Sequence, residues 1–157
     1  MKDDSTLRDH LVAQLNSDYA HARFRTAVAG WPAKSRGVRP SGAPHSAWEI
    51  LEHLRIAQWD ILEFSRSARH VSPEFPGGYW PQGPVPPDEA HWEAAIAGFG
   101  RDLESMQALV SDPGSDLHAR FPHGDGQTLL RESLTLASHN SYHIGQLMTL
   151  RRMLGID

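Results

Sequence analysis

Two histidines, His139 and His143, stand four residues apart in a segment whose leucine spacing predicts a helix. Positions i and i+4 of a helix lie on the same face, so both imidazoles can bind one cation from one side. Helical His-x-x-x-His pairs do this in zinc sites. Apolar residues continue along this face and predict that it points toward a core: Leu136, Leu147, Leu150 and Leu154. The alternative is a pair of satisfied core histidines in a chain with 10 histidines.

A third histidine, His53, lies on the apolar side of a second predicted helix. Ligands in the cores of helix bundles come from side chains on facing helices, so His53 can meet His139 and His143 if the two helices are neighbours. Three protein ligands leave a coordination position open, as in catalytic metal sites. Imidazole suits Zn, Ni, Cu or Fe. We expect one divalent ion, with Zn or Ni first and Fe or Mn as alternatives, and an affinity that falls below about pH 6.

The sequence supports other kinds of site less well than a three-histidine metal site. Buried neutral histidines without a metal would each need a hydrogen-bond partner, at about 1–3 kcal/mol where one is missing. The paired Glu-x-x-His motifs of a di-iron bundle are absent, as are a Gly-x-Ser-x-Gly elbow and phosphate-binding glycine motifs. With no cysteine, the chain has no disulfide, thiolate ligand or cysteine nucleophile.

Length and charge narrow the class of protein further. The 157 residues suit a single domain over 1–157 with a substantial core. Lysine and arginine number 15 and acidic residues 19, for a net charge of −4, which disfavours nucleic-acid binding. Residues 1–5 lead into no apolar signal region, and no segment is long and apolar enough to span a membrane. We therefore expect a cytoplasmic protein without a membrane partner.

Apolar periodicity predicts four long helices and no strand, which indicates an all-α four-helix bundle with long loops. The predicted spans are 5–30, 46–70, 88–110 and 128–154. The first helix would be capped by Ser5 or Thr6. Its core-facing side would carry Leu11, Leu15, Tyr19 and Ala22. The third carries the clearest stripe: Trp92, Ile96, Phe99, Leu103, Met106 and Val110.

Local motifs mark the helix ends. Ser46 and Glu49 have the spacing of a capping box at the start of the second helix. Thr128 suits the N-cap of the last helix, and Gly155 suits the position after its end. Glu49 also lies one turn before His53, so it is either a solvated helix charge or a group that orients a ligand.

The proline-rich stretch 71–87 cannot form a long helix, because repeated X-Pro steps disfavour it. It nonetheless holds Phe75, Tyr79 and Trp80, which are unusual in a disordered linker. We expect these aromatics to fold back onto the bundle. They would serve either as packing over a helix seam or as a lid that lines a pocket.

The segments around His53 (Glu-Ile-Leu-Glu-His-Leu) and His139 (His-Asn-Ser-Tyr-His-Ile-Gly-Gln-Leu) resemble the DinB family of the DinB/YfiT-like superfamily. The resemblance covers nearly the whole chain. It implies a four-helix bundle whose divalent metal is held by three histidines, which by motif match are His53, His139 and His143. The residue before His139, acidic in many relatives, is Ser138 here.

The resemblance also implies an activity. The superfamily includes thiol-dependent S-transferases and a mycothiol-dependent isomerase, so we expect a small-molecule substrate and a low-molecular-weight thiol as cosubstrate. A metal-dependent hydrolase is the runner-up. The non-enzyme alternative is a stress-related bundle without turnover that binds a metal or forms a homodimer. Five further residues are candidates for the pocket or for orienting the ligands: Tyr142, Gln146, Glu49, Tyr79 and Trp80.

Overall fold

The computed structural model describes residues 4–156, and within them the secondary structure is helical apart from one isolated bridge between Arg120 and Thr128. The α-helices are α1 (Ser5–Leu15), α2 (Phe24–Val28), α3 (Ala47–Arg66), α4 (Glu89–Ser111) and α5 (Leu129–Met153). Helices α1 and α3 each pack against both α4 and α5, and the short α2 lies against α5. The predicted all-α bundle is confirmed. Residues 1–3, where the sequence predicts no signal region, and residue 157 lie outside the described part.

The prediction of one first helix over 5–30 is wrong. Helix α1 ends at Leu15, and α2 begins only at Phe24. Asn, Ser and Asp follow Leu15, and such side chains compete with a helical backbone for hydrogen bonds. Ser17 takes a φ of 57°, in the left-handed region that interrupts a helix. Tyr19 therefore lies beyond the helix and is 58% exposed instead of joining the inner stripe.

The start of α1 also differs from the prediction of a cap by Ser5 or Thr6. The helix already includes Ser5, and Asp4 is the N-cap residue without a side-chain cap hydrogen bond.

None of the helices within residues 4–156 combines the length and the hydropathy that a membrane-spanning helix needs.

The predicted capping motifs of α3 and α5 are confirmed. Ser46 Oγ accepts from the Glu49 amide at 3.3 Å, and the Glu49 carboxylate accepts from the Ser46 amide at 2.8 Å. Thr128 Oγ1 accepts from the amide of Arg131 at 3.1 Å. Gly155 has a φ of 64° at the end of α5, where glycine adopts a left-handed conformation without a Cβ clash. These local contacts set where the two histidine-bearing helices begin and where α5 ends.

Helix α3 ends at Arg66, short of its predicted end near residue 70. Ser67 is extended, and the chain turns back so that His70 Nε2 lies 2.7 Å from the buried carboxylate of Asp60. The Tyr79 hydroxyl donates to the same carboxylate at 2.6 Å. Tyr79 and Trp80 of the proline-rich stretch thus fold back onto α3, as predicted, and the stretch forms no long helix. The prediction is wrong for Phe75, which is 83% exposed.

The core forms two apolar clusters, one around Leu51, Trp92 and Leu147 and one around Leu62 and Leu136. The predicted stripe of α4 points inward: Trp92, Phe99, Met106 and Val110 are buried, and Ile96 and Leu103 are partly buried.

A buried amide network joins three helices. Gln58 of α3 donates to the Phe99 carbonyl of α4 at 2.6 Å, and Asn140 of α5 donates to Gln58 Oε1 at 2.9 Å. Gln58 is fully buried and Asn140 is 2% exposed. This network holds α5 in register against α3 one residue away from His139.

Candidate metal centre

The structure brings His53, His139 and His143 together at the α3–α5 interface. One ring nitrogen from each lies within 4.8 Å of the other two. The ring centroids are 4.9 Å apart for His53 and His139 and 4.5 Å apart for each other pair. The neighbouring turns of α5 place two of the rings, and the packing of α3 against α5 supplies the third.

The hydrogen bond of His53 sets its tautomer. Its Nδ1 lies 2.9 Å from the carbonyl oxygen of Tyr79, which can only accept. Nδ1 therefore carries the proton, and Nε2 presents a lone pair. That Nε2 lies 3.0 Å from Nε2 of His139. The proline-rich stretch thus orients a histidine of α3 through its main chain.

His143 is oriented in the same way by its own helix. Its Nδ1 lies 2.7 Å from Oε1 of Gln146, one turn later. With the amide oxygen facing the ring, Nδ1 donates and Nε2 is left as an acceptor. Metal-bound histidines commonly donate their other ring N–H to a carbonyl or carboxylate oxygen, and His53 and His143 have that arrangement.

His139 completes a donor set that fits a divalent cation. Its Nδ1 is buried and has no hydrogen-bond partner among the described residues. With the His139 proton on Nδ1, two Nε2 lone pairs would face each other across 3.0 Å, and a cation between the rings would remove that repulsion. Three neutral imidazoles are a donor set that suits a first-row transition metal or zinc.

Burial keeps the cluster neutral. It is the main reason that the pKa values of His139 and His143 fall to about 4, and the charge of a neighbouring protonated histidine lowers both further. Burial also lowers the pKa of His53. Neutral histidines at pH 7 need not lose a proton before they bind a cation.

We expect metal affinity to stay nearly constant from pH 7.5 to about pH 5 and to fall steeply toward pH 4. Protons compete for the rings only as the pH approaches the folded-state pKa values, which are about 4 for His139 and His143 and which burial also lowers for His53. This replaces the sequence-based expectation of a fall below about pH 6. Titration with Zn²⁺ against a chromophoric chelator at several pH values tests it. A steady loss of affinity between pH 7 and pH 6 would contradict it.

The same shifts affect the stability of the metal-free protein. Between about pH 6.5 and pH 4 the unfolded chain binds more protons than the folded one, because its histidines keep their ordinary pKa. Titration of these histidines should therefore leave the free energy of unfolding unchanged above about pH 6.5. It should lower the free energy of unfolding as the pH falls from 6.5 toward 4. Urea unfolding of metal-free protein across this range measures the decline, and Zn²⁺ should reduce it.

One aromatic ring covers His53, and a second ring stacks on the first. The Trp80 ring stacks on His53 with centroids 4.0 Å apart and planes 4° apart. His45 stacks in turn on Trp80 at 4.1 Å. Sequence reasoning missed His45, since it lies in a loop without periodicity. Its place directly before the Ser46 capping box was the one signal that tied it to α3.

Of the other residues singled out in the sequence, Tyr142 contacts the cluster, whereas Glu49 and Ser138 have other surroundings. Tyr142 is 66% exposed, and its ring meets the His143 ring edge-on with centroids 4.9 Å apart. The structure does not bring Glu49 into a hydrogen bond with the described histidines. Its carboxylate accepts from Arg39 and the Ser46 amide instead, which lowers its pKa. Ser138 is exposed.

A family model for the DinB superfamily matches residues 17–147 of the chain. This span contains α2 to α4, most of α5 and all three histidines. No curated protein and no solved structure matches the chain significantly. The match covers well over half of the 157 residues and confirms the family predicted from the two histidine segments, so the chain belongs to the DinB superfamily.

Proposed function

We propose that His53, His139 and His143 hold one divalent metal ion and that the chain is a metal-dependent enzyme, first of all a thiol-dependent S-transferase. One observation carries the proposal: three imidazole nitrogens lie within 4.8 Å of one another, and the outer nitrogens of His53 and His143 face carbonyl-type oxygens. We expect Zn or Ni first, since imidazole suits both ions, with Fe or Mn as alternatives.

The protein's own residues would contribute orientation and exclusion of water. The Tyr79 carbonyl and Gln146 hold the protons of His53 and His143 away from the cluster. Trp80 covers the His53 ring and keeps water from that side. A divalent ion bound there lowers the pKa of a water or thiol that it ligates, which supplies a nucleophile near neutral pH.

The thiol must come from outside, because the chain has no cysteine. In S-transfer, the thiol loses its proton to solvent and its sulfur forms a bond to the electrophilic carbon. The leaving group departs with the electron pair of the broken bond. Water as the nucleophile would make the same site a hydrolase, which is the second candidate. The third is a metal-binding bundle without turnover, acting as a homodimer.

A comparison of cosubstrates tests the proposal. We expect metal-loaded protein to consume a model alkyl or aryl electrophile only when a low-molecular-weight thiol is present. His143→Ala should remove this activity because it removes a ligand. His21→Ala is the matched control, since His21 is exposed and outside the cluster.

The outcomes separate the three candidates. Ester turnover without thiol, lost in His143→Ala, would favour the hydrolase. Absence of turnover with thiol, ester or amide substrates, while metal is bound, would favour the non-catalytic bundle.

A further inference from the structure

A cavity of about 480 Å³ adjoins the histidine cluster between the loop before α3 and the C-terminal half of α5. Three of its lining residues contact the cluster or its cover. Gln146 accepts from His143, the Tyr142 ring meets the His143 ring edge-on, and His45 stacks on the Trp80 that covers His53. The size is that of a small-molecule site. The cavity is therefore one side chain away from the His143 ring, whereas His45 and Trp80 both lie between it and the His53 ring.

Among the described residues, those that line this cavity include no aspartate, glutamate, lysine or arginine. Apolar side chains form much of the lining, among them Ile50, Leu150 and Met153. The cavity beside Trp31 and Trp92 differs, because both acidic and basic side chains line it. A charged ligand group would lose its hydration beside Ile50 and Leu150 without gaining an opposite charge. The lining thus selects against ions and for neutral, largely apolar groups.

Gln146 supplies the polar contact that such a site needs. Its oxygen is taken by His143, so its amide NH₂ remains as a donor, with no hydrogen bond to any described residue. An NH₂ donor in an apolar wall recognises an acceptor such as a carbonyl oxygen. The same residue would thereby orient His143 on one side and a bound molecule on the other.

We propose that this cavity binds the neutral part of the electrophilic substrate: an aromatic or alkyl group that carries a carbonyl-type acceptor for Gln146. The inference rests on the proposed function, because it names the substrate class of the same site. The charged parts of a thiol cosubstrate would lie outside this cavity.

Gly145 offers a way to fill the cavity without disturbing the fold. It lines the cavity on α5, and a Cβ built on it meets no atom within 4 Å. Gly145→Leu therefore places a side chain into open space at a helical position that tolerates one. Gly100→Leu on α4 is the matched control, since Gly100 also has open space around its Cβ position and lies away from the histidines.

The test uses three probes of one shape: 3-phenylpropanamide, its carboxylate 3-phenylpropanoate and the cation 3-phenylpropylammonium. Binding to the full chain, with and without Zn²⁺, is followed by ¹H–¹⁵N NMR. We expect the amide to bind at least about tenfold more tightly than either ion in metal-free protein and to shift the signals of the cavity residues. Gly145→Leu should weaken amide binding by about tenfold or more, and Gly100→Leu should leave it unchanged.

Equal binding of amide and ions, or unchanged amide binding in Gly145→Leu, would overturn the cavity assignment. The two proposals fail separately. If the amide binds but the protein binds no metal, the metalloenzyme proposal is refuted and the cavity assignment is supported. If metal-dependent turnover of an electrophile is unchanged in Gly145→Leu, the enzyme proposal is supported and the cavity assignment is refuted.

Discussion

Replacing His139 with alanine is expected to abolish stoichiometric metal binding. His139 Nε2 lies 3.0 Å from that of His53, and the His139 ring is next to both other rings of the cluster. Its loss would leave two imidazoles on different helices. Substitution of a residue that only orients a ligand typically costs 10–100-fold in affinity, so loss of a ligand should cost more than about 100-fold.

Elemental analysis of protein purified without a His-tag measures the metal content, and titration with Zn²⁺ and Ni²⁺ measures the affinity. His21→Ala is the control and should keep one ion per chain. Metal should also raise the unfolding temperature of the wild type but not of His139→Ala, because only a bound ion stabilises the folded state. A wild type without stoichiometric metal, together with unchanged affinity in His139→Ala, would refute the metal site.

Replacing Gln58 with alanine should destabilise the protein by about 2–4 kcal/mol, the range for buried deletions that leave a cavity and an unpaired polar group. Gln58 is fully buried and joins the Phe99 carbonyl to Asn140. The substitution removes two hydrogen bonds and leaves the Asn140 amide without its acceptor. Asn140 Oδ1 has no hydrogen-bond partner among the described residues, so the bond to Gln58 is the side-chain hydrogen bond of Asn140 that the substitution removes.

Urea unfolding of metal-free protein at pH 7.5 gives the size of the loss. Gln107→Ala is the matched control, because Gln107 makes a comparable side-chain bond to Asn16 at the exposed surface of α4. That bond competes with water, so its loss should cost less than about 1 kcal/mol. Equal losses in the free energy of unfolding for the two substitutions would show that the buried network stabilises the fold no more than a surface hydrogen bond does.

Much of the fold was predictable because its signals are local. The stripe of α4 follows the helical period, and the caps Ser46 and Thr128 bond to amides three residues away. The break after Leu15 also has a local signal, because the run Asn16 to Asp18 favours a turn. The apolar spacing continues past this run, so periodicity alone predicts one longer helix. The early end of α3 had no such signal, because it accompanies the pairing of His70 with Asp60.

Local patterns in the sequence are enough to predict the fold class of this protein and the side chains that could bind a metal. A spacing of four places His139 and His143 on one helical face whatever surrounds them, and the absence of cysteine excludes thiolate ligands. His53 could be proposed from its apolar stripe and from the family resemblance, although its distance to the other two could not.

The groups that surround those histidines depend on tertiary contacts, which local patterns do not predict. The Tyr79 carbonyl reaches His53 because a proline-rich stretch folds back across α3, and His45 reaches Trp80 across the same surface. Glu49, a candidate by its spacing, is taken by Arg39 instead. Such contacts join residues far apart in the chain, so no periodicity records them. They depend on how whole helices and loops pack, and that packing also forms the uncharged cavity beside Gln146.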